Sequence, residues 1–107
     1  MADEYVIVLT TMAGDVDVEA LARTIVVEQL AACVNVLPPM RSIYRWKGQV
    51  EEAHERQVVI KTSRASVSAL RDRLHELHPY DVPEFLVLPI VDGSERYLKW
   101  IADSVRT

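Results

Sequence analysis

Two hydrophobic periods alternate along this chain, and their order restricts the fold more than any other feature. Tyr5-Val6-Ile7-Val8-Leu9 reads as a strand buried on both faces. Asp15 or Asp17 can cap the helix that follows, with Val18, Leu21, Ala22, Ile25 and Val26 on one stripe. From Cys33 to Trp46 and from Val50 to Thr62 the texture is β-rich, and Lys47-Gly48 marks the reversal. A long hairpin is the economical reading, its first arm interrupted at Pro38-Pro39. Val67, Leu70, Leu74 and Leu77 return to helical spacing, with Ser63 or Ser66 to cap the start and Pro79 to stop the helix. Phe85-Leu86-Val87-Leu88 gives a fourth strand, and Asp92-Gly93-Ser94 introduces a last helix carrying Tyr97, Leu98, Ile101 and Val105. Gly14, Gly48 and Gly93 fall between these segments, where positive φ is most often required. The order is βαββαβ with an extra C-terminal helix. Its simplest closed form is an α+β, ferredoxin-like antiparallel sheet with helices on one face, joined by right-handed crossovers.

A length of 107 residues makes one domain, 1–107, able to bury roughly two-thirds of the surface its unfolded chain exposes. Hydrophobic residues are 50% of the chain, which points toward oligomerisation. The balance of 12 basic against 16 acidic residues, with no Lys/Arg block, argues against nonspecific nucleic-acid or anionic-membrane binding. Gln57-Val58-Val59-Ile60-Lys61-Thr62 offers neither the stacking platform nor the basic cluster of an RNA-binding sheet. No apolar run is long enough to span a bilayer, and Met1-Ala2-Asp3-Glu4 lacks a secretory pattern, so a cytoplasmic protein is expected. Cys33 is the single cysteine, which excludes an internal disulfide and fits a reducing compartment.

The chemistry concentrates in His78-Pro79-Tyr80-Asp81-Val82-Pro83-Glu84. Its prolines hold His78 and Val82 extended, so the loop is either a site or a rigid helix-to-strand connector. Cys33, His54, His75, His78 and the carboxylates form a borderline donor set, suited to copper or zinc more than magnesium or calcium. His75 and His78, three apart at a helix end, can share a metal or simply flank the helix stop. Glu51 and Glu55 share a strand face but stand roughly 13 Å apart, too far to chelate one ion together. With Lys61, of the same parity, they make ion pairs or a polar sheet face. Cys33 is either a soft ligand for Cu(I) or an inert core residue. Tyr44 and Trp46 share a face, and Trp100 rides the final helix; these aromatics anchor subunit contacts or pack within one subunit.

Five stretches line up with one family: Ala31-Ala32-Cys33-Val34-Asn35, Ser42-Ile43-Tyr44-Arg45-Trp46-Lys47-Gly48, Glu51 with Glu55, Lys61-Thr62, and His78-Pro79-Tyr80 with Pro83-Glu84. Together with Gly93, Tyr97-Leu98 and Trp100, they resemble the CutA divalent-cation-tolerance family. The resemblance implies a ferredoxin-like fold in a tight homotrimer, architecturally similar to PII signalling proteins, and a link to tolerance of copper and other divalent metals. It implies metal binding without settling the site, and no enzyme is expected. The expected ligands for copper, zinc or another divalent cation are Cys33, His75, His78 and Glu84. Some members carry further cysteines, whereas Cys33 stands alone here, so two thiolates from one subunit are excluded. A trimer creates clefts where Lys61, His78, Tyr80 and Glu84 can meet Tyr44, Trp46, Glu51 or Glu55 from the next chain. The alternative is a PII-like signalling module that binds a small anion or partner protein there, with Lys61 as anion contact. An enzyme using His78 as general acid or base has no nucleophile motif to support it.

Overall fold

The computed structural model describes residues 4–77 and 80–106, so His78 and Pro79 lie outside the described residues. In chain order come β1 (Tyr5–Ala13), α1 (Val18–Val27), β2 (Cys33–Val36), β3 (Met40–Trp46), β4 (Gln49–Ser63), α2 (Val67–Leu77), β5 (Leu86–Pro89) and α3 (Glu95–Ser104). A 3-10 turn at Arg64–Ser66 leads into α2. The strands form one antiparallel sheet in the order β2-β4-β1-β5, with β3 also paired to β4. This is the expected α+β architecture, with the long hairpin's first arm divided into β2 and β3.

That division follows from covalent chemistry. Between the pairs Val36↔Val58 and Met40↔Glu55, the residues Leu37, Pro38 and Pro39 stand opposite only Arg56 and Gln57. Prolines give no N–H to a ladder, so the extra residue of this bulge falls where pairing is already weakest. The Leu37 N–H donates to the Gln57 carbonyl at 3.0 Å, and Arg56 Nε donates to the Leu37 carbonyl at 2.9 Å, which holds the break together. The hairpin reverses on Lys47 and Gly48, both at positive φ (51° and 79°), the twist-compatible geometry of a primed turn.

On β1 and β4 the even positions Val6, Val8, Met12, Val58 and Ile60 face α1 and α2, packing against Val18, Leu21, Ile25, Leu70 and Leu74. The other face is open. There Ile7 stands in a row with Leu88, Lys61 and Cys33, and Leu9 in a row with Leu86, Val59 and Asn35. Leu86 and Leu88 are 53% and 42% exposed, so β1 is not buried on both faces as its composition predicts. Nor do all helices share one face. Ile101 and Val105 of α3 pack with Ala32 and Tyr5 in a separate cluster, and Tyr5 alternates with the inward Val6.

The helix ends obey local rules, with one exception in residue choice. Asp17 Oδ1 accepts from the Ala20 N–H at 3.1 Å, and Ser94 Oγ from the Tyr97 N–H at 3.2 Å. Ser63 makes no cap bond of this kind; its hydroxyl meets that of Ser66 at 3.0 Å. At the end of α1 the Leu30 N–H reaches the Ile25 carbonyl and the Gln29 N–H the Val26 carbonyl, a Schellman motif closed by Leu30 entering the core. Its left-handed position is held by Gln29 at φ 60°, where glycine is usual. Of the three glycines only Gly48 takes positive φ, contrary to the expectation for Gly14 and Gly93. Gly93 instead makes room for Leu98, whose Cδ2 lies 3.3 Å from where a Cβ would stand.

Relief of the left-handed strain exceeds the entropy that glycine adds to the unfolded chain, so Gln29→Gly raises stability by about 0.5–1 kcal/mol. Denaturant unfolding at fixed protein concentration checks this, and an unchanged or lowered midpoint contradicts it.

Candidate functional site

The β3–β4 hairpin projects beyond β1, whose pairing with β4 ends at Ala13↔Glu55. Counting back from the turn, Trp46 lies opposite Gln49, Tyr44 opposite Glu51 and Ser42 opposite Ala53. Side chains alternate, so Tyr44, Trp46, Ala53 and Glu55 stand on one face, continuous with the open face of the sheet. The segment before β5 comes to the same place by register: Leu86 pairs with Leu9, which carries Glu84 toward Thr11 and Gln57. Hairpin and loop enclose a cleft of about 620 Å³, walled by Tyr44, Trp46 and Ala53 on one side and Tyr80, Asp81, Val82, Pro83 and Glu84 on the other. Thr11 and Glu55 also line it.

Two hydrogen bonds fix the acidic groups. Tyr80 Oη donates to Glu55 Oε2 at 2.7 Å, and Glu55 is only 9% exposed. Burial, followed by the bond to Glu55 and the nearness of its charge, raises the Tyr80 pKa, so the phenol keeps its proton and remains a donor. Gln57 Nε2 donates to the Thr10 carbonyl at 2.7 Å and to Glu84 Oε2 at 2.9 Å, tying the loop carboxylate to the sheet. Among the described residues the lining contains Glu55, Asp81 and Glu84 and no Lys, Arg or His.

Of the residues singled out by sequence, Tyr44, Trp46, Glu55, Tyr80 and Glu84 meet within a single chain. Loop and hairpin of one chain thus already form a cleft, where the sequence alone sets the hairpin residues against a neighbouring chain's loop. Glu51 lies on the same strand face but does not line the cleft. Lys61 stands six residues from Glu55 along β4, roughly 20 Å away, in the row with Ile7 and Cys33. Cys33 is half-buried on the open sheet face, outside both the core and the cleft, with Sγ 3.9 Å from Asn35 Oδ1. His75 is exposed on α2, on the opposite side of the sheet, and His54 is exposed on β4. Trp100 rings against Tyr97 on α3, centroids 5.3 Å apart. His78 lies outside the described residues.

The described candidate ligands Cys33, His75 and Glu84 therefore occupy different surfaces. Among the described residues no three His, Cys, Asp or Glu side chains converge to hold a metal ion. The described donors of one chain do not fit a closed metal centre. Sequence reasoning also missed Asp81 as a lining group and the acidic character of the cleft. The signal lay in the loop itself, where Asp81 and Glu84 flank Val82-Pro83.

A sequence model described as CutA1 divalent ion tolerance protein matches residues 6–104. The chain is 41% identical over 98 residues to the "Divalent-cation tolerance protein CutA" of Thermus thermophilus, covering 92% of this chain and 95% of that protein. It is 42% identical to "Protein CutA, chloroplastic" of Arabidopsis thaliana over 95% of this chain and 54% of that one. The crystal structure of CutA1 from Oryza sativa superposes with a TM-score of 0.92 at 37% identity, covering 98% of this chain and 96% of that chain.

Replacing Tyr80 by Phe leaves the buried Glu55 carboxylate without this donor, so Tyr80→Phe lowers stability by about 1–3 kcal/mol in denaturant titration. The raised folded pKa gives the sign of the pH dependence. The tyrosine's contribution is complete below its ordinary value of 10.0 and declines as pH rises toward the folded value, so the difference between the two proteins narrows above pH 10. A constant difference there contradicts the assignment.

Proposed function

The chain belongs to the CutA1 divalent ion tolerance family, and from that premise we propose that it serves divalent-cation tolerance as a homotrimer that binds copper or another divalent metal ion. The observation that carries the assembly is uncovered apolar surface in two places. Ile43 and Val50 near the hairpin tip are 72% and 69% exposed, and Leu86 and Leu88 lie bare on the open sheet face. A projecting two-stranded hairpin is marginal alone, and large apolar side chains left this exposed at its tip and on the sheet fit cover by another chain.

The same face supports the metal reading. Cys33 sits on it beside Lys61, half-buried, so copies packed through this face bring their cysteines toward one another. Donors supplied one from each chain meet the requirement that a single chain does not, and thiolates suit copper or zinc. His75, across the sheet, and Glu84, in the cleft, are proposed as ligands of separate ions, together with His78. The PII-like signalling alternative, with a small anion in the cleft, draws less support, because Lys61 lies outside the cleft and three carboxylates line it. The role is one of binding and not of catalysis. No described helix is long and apolar enough to cross a membrane, and the cytoplasm is the proposed compartment.

Native mass spectrometry of metal-stripped protein, titrated with Cu(II), Zn(II) and, under reductant, Cu(I), tests both parts. The proposal expects a trimer that takes up one or three ions and loses Cu(I) uptake in Cys33→Ser. A folded monomer overturns the assembly, and a trimer that stays metal-free overturns the metal assignment.

A further inference from the structure

We propose that the cleft between the β3–β4 hairpin and the loop before β5 is a binding site for a small organic ammonium ion. This rests on the cleft alone and is independent of the metal assignment. A volume of about 620 Å³ suits a small molecule and far exceeds one metal ion. The walls state the charge. Tyr44 and Trp46, two positions apart on one strand face, offer ring surfaces that attract cations, and Trp is the strongest such ring. Glu55, Asp81 and Glu84 supply negative charge, and no Lys, Arg or His is among the described residues that line the space. Glu55 is nearly buried, so its field is weakly screened, and Tyr80 holds its Oε2 in place. The Trp46 ring already accepts an ammonium group in this structure, with Lys47 Nζ 5.8 Å from its centroid.

Other occupants fit less well. An anion meets three carboxylates and finds Lys61 outside the cleft. A divalent metal ion needs several converging donors, and no three of the described His, Cys, Asp or Glu side chains provide them. Val82 and Pro83 give apolar contact that a hydrated ion does not use but an alkylammonium does.

Isothermal titration calorimetry of metal-stripped wild-type protein with choline tests the site, with uncharged 3,3-dimethylbutan-1-ol as the isosteric control. Saturable choline binding is expected, with the alcohol at least tenfold weaker. Glu55→Gln and Glu84→Gln should each weaken choline about tenfold or more, while Glu95→Gln, which removes an equal charge on α3, leaves it unchanged. Two separate cleft variants guard against one that fails to fold. Absence of choline binding, equal binding of alcohol and choline, or equal weakening by Glu95→Gln overturns the proposal. Dissociation of the assembly by Trp46→Leu also overturns it, because the cleft would then be occupied by a second copy of the chain. Metal uptake is measured separately, so failure here leaves the metal reading standing.

Discussion

The ladder between β1 and β4, from Tyr5↔Ser63 to Ala13↔Glu55, decides the environment of nearly every other element. Side chains alternate across a sheet, so this register places Val58, Ile60 and Thr62 under the helices and Glu55, Gln57, Val59 and Lys61 on the open face. A slip by one residue would drive Lys61 and Glu55 into the apolar core and expose Ile60. The packing of α1 and α2 against the even positions makes that slip prohibitive. Because β4 continues past the end of β1, the same register then aims Ala53 and Glu55 into the cleft.

The two faces consequently differ in kind. One is a dry core in which Val6, Val8, Ile25, Ile60 and Leu70 are fully buried. The other carries apolar rows at its centre, Cys33 and Lys61 toward one edge, and an acidic, aromatic cleft at the hairpin end. Within the cleft, the Tyr80–Glu55 bond lets a carboxylate sit nearly buried at the sheet margin, where an unbonded one would be costly. The face thus separates thiol chemistry from carboxylate chemistry along the length of one strand.

What depended on local rules was legible in the sequence. Lys47-Gly48 marked the turn, Pro38-Pro39 the break between β2 and β3, and Asp17 and Ser94 the helix caps, because each acts over a few residues. Parity also placed Tyr44 and Trp46 on one face. What depended on long-range placement was not legible. Nothing local sends α3 to the Tyr5 side of the sheet, and Gln29 carries no signal that it will adopt a glycine's conformation. The cleft's charge hinges on where Asp81 and Glu84 land, which only the pairing of Leu86 with Leu9 decides. For the same reason Lys61, close to Glu55 in sequence, turned out to be remote from the cleft.

The central claim is that the sheet face opposite α1 and α2, which α3 covers only around Tyr5 and Ala32, is where copies of the chain meet. Cys33 reports on that face directly, since it is half-buried there and is the chain's sole thiol. Its rate of alkylation by N-ethylmaleimide, followed by mass spectrometry over a dilution series without denaturant, is the most direct test. The account predicts slow modification at micromolar concentration that accelerates as dilution separates the chains. Rapid modification that does not vary with concentration would show the face open to solvent and contradict the account.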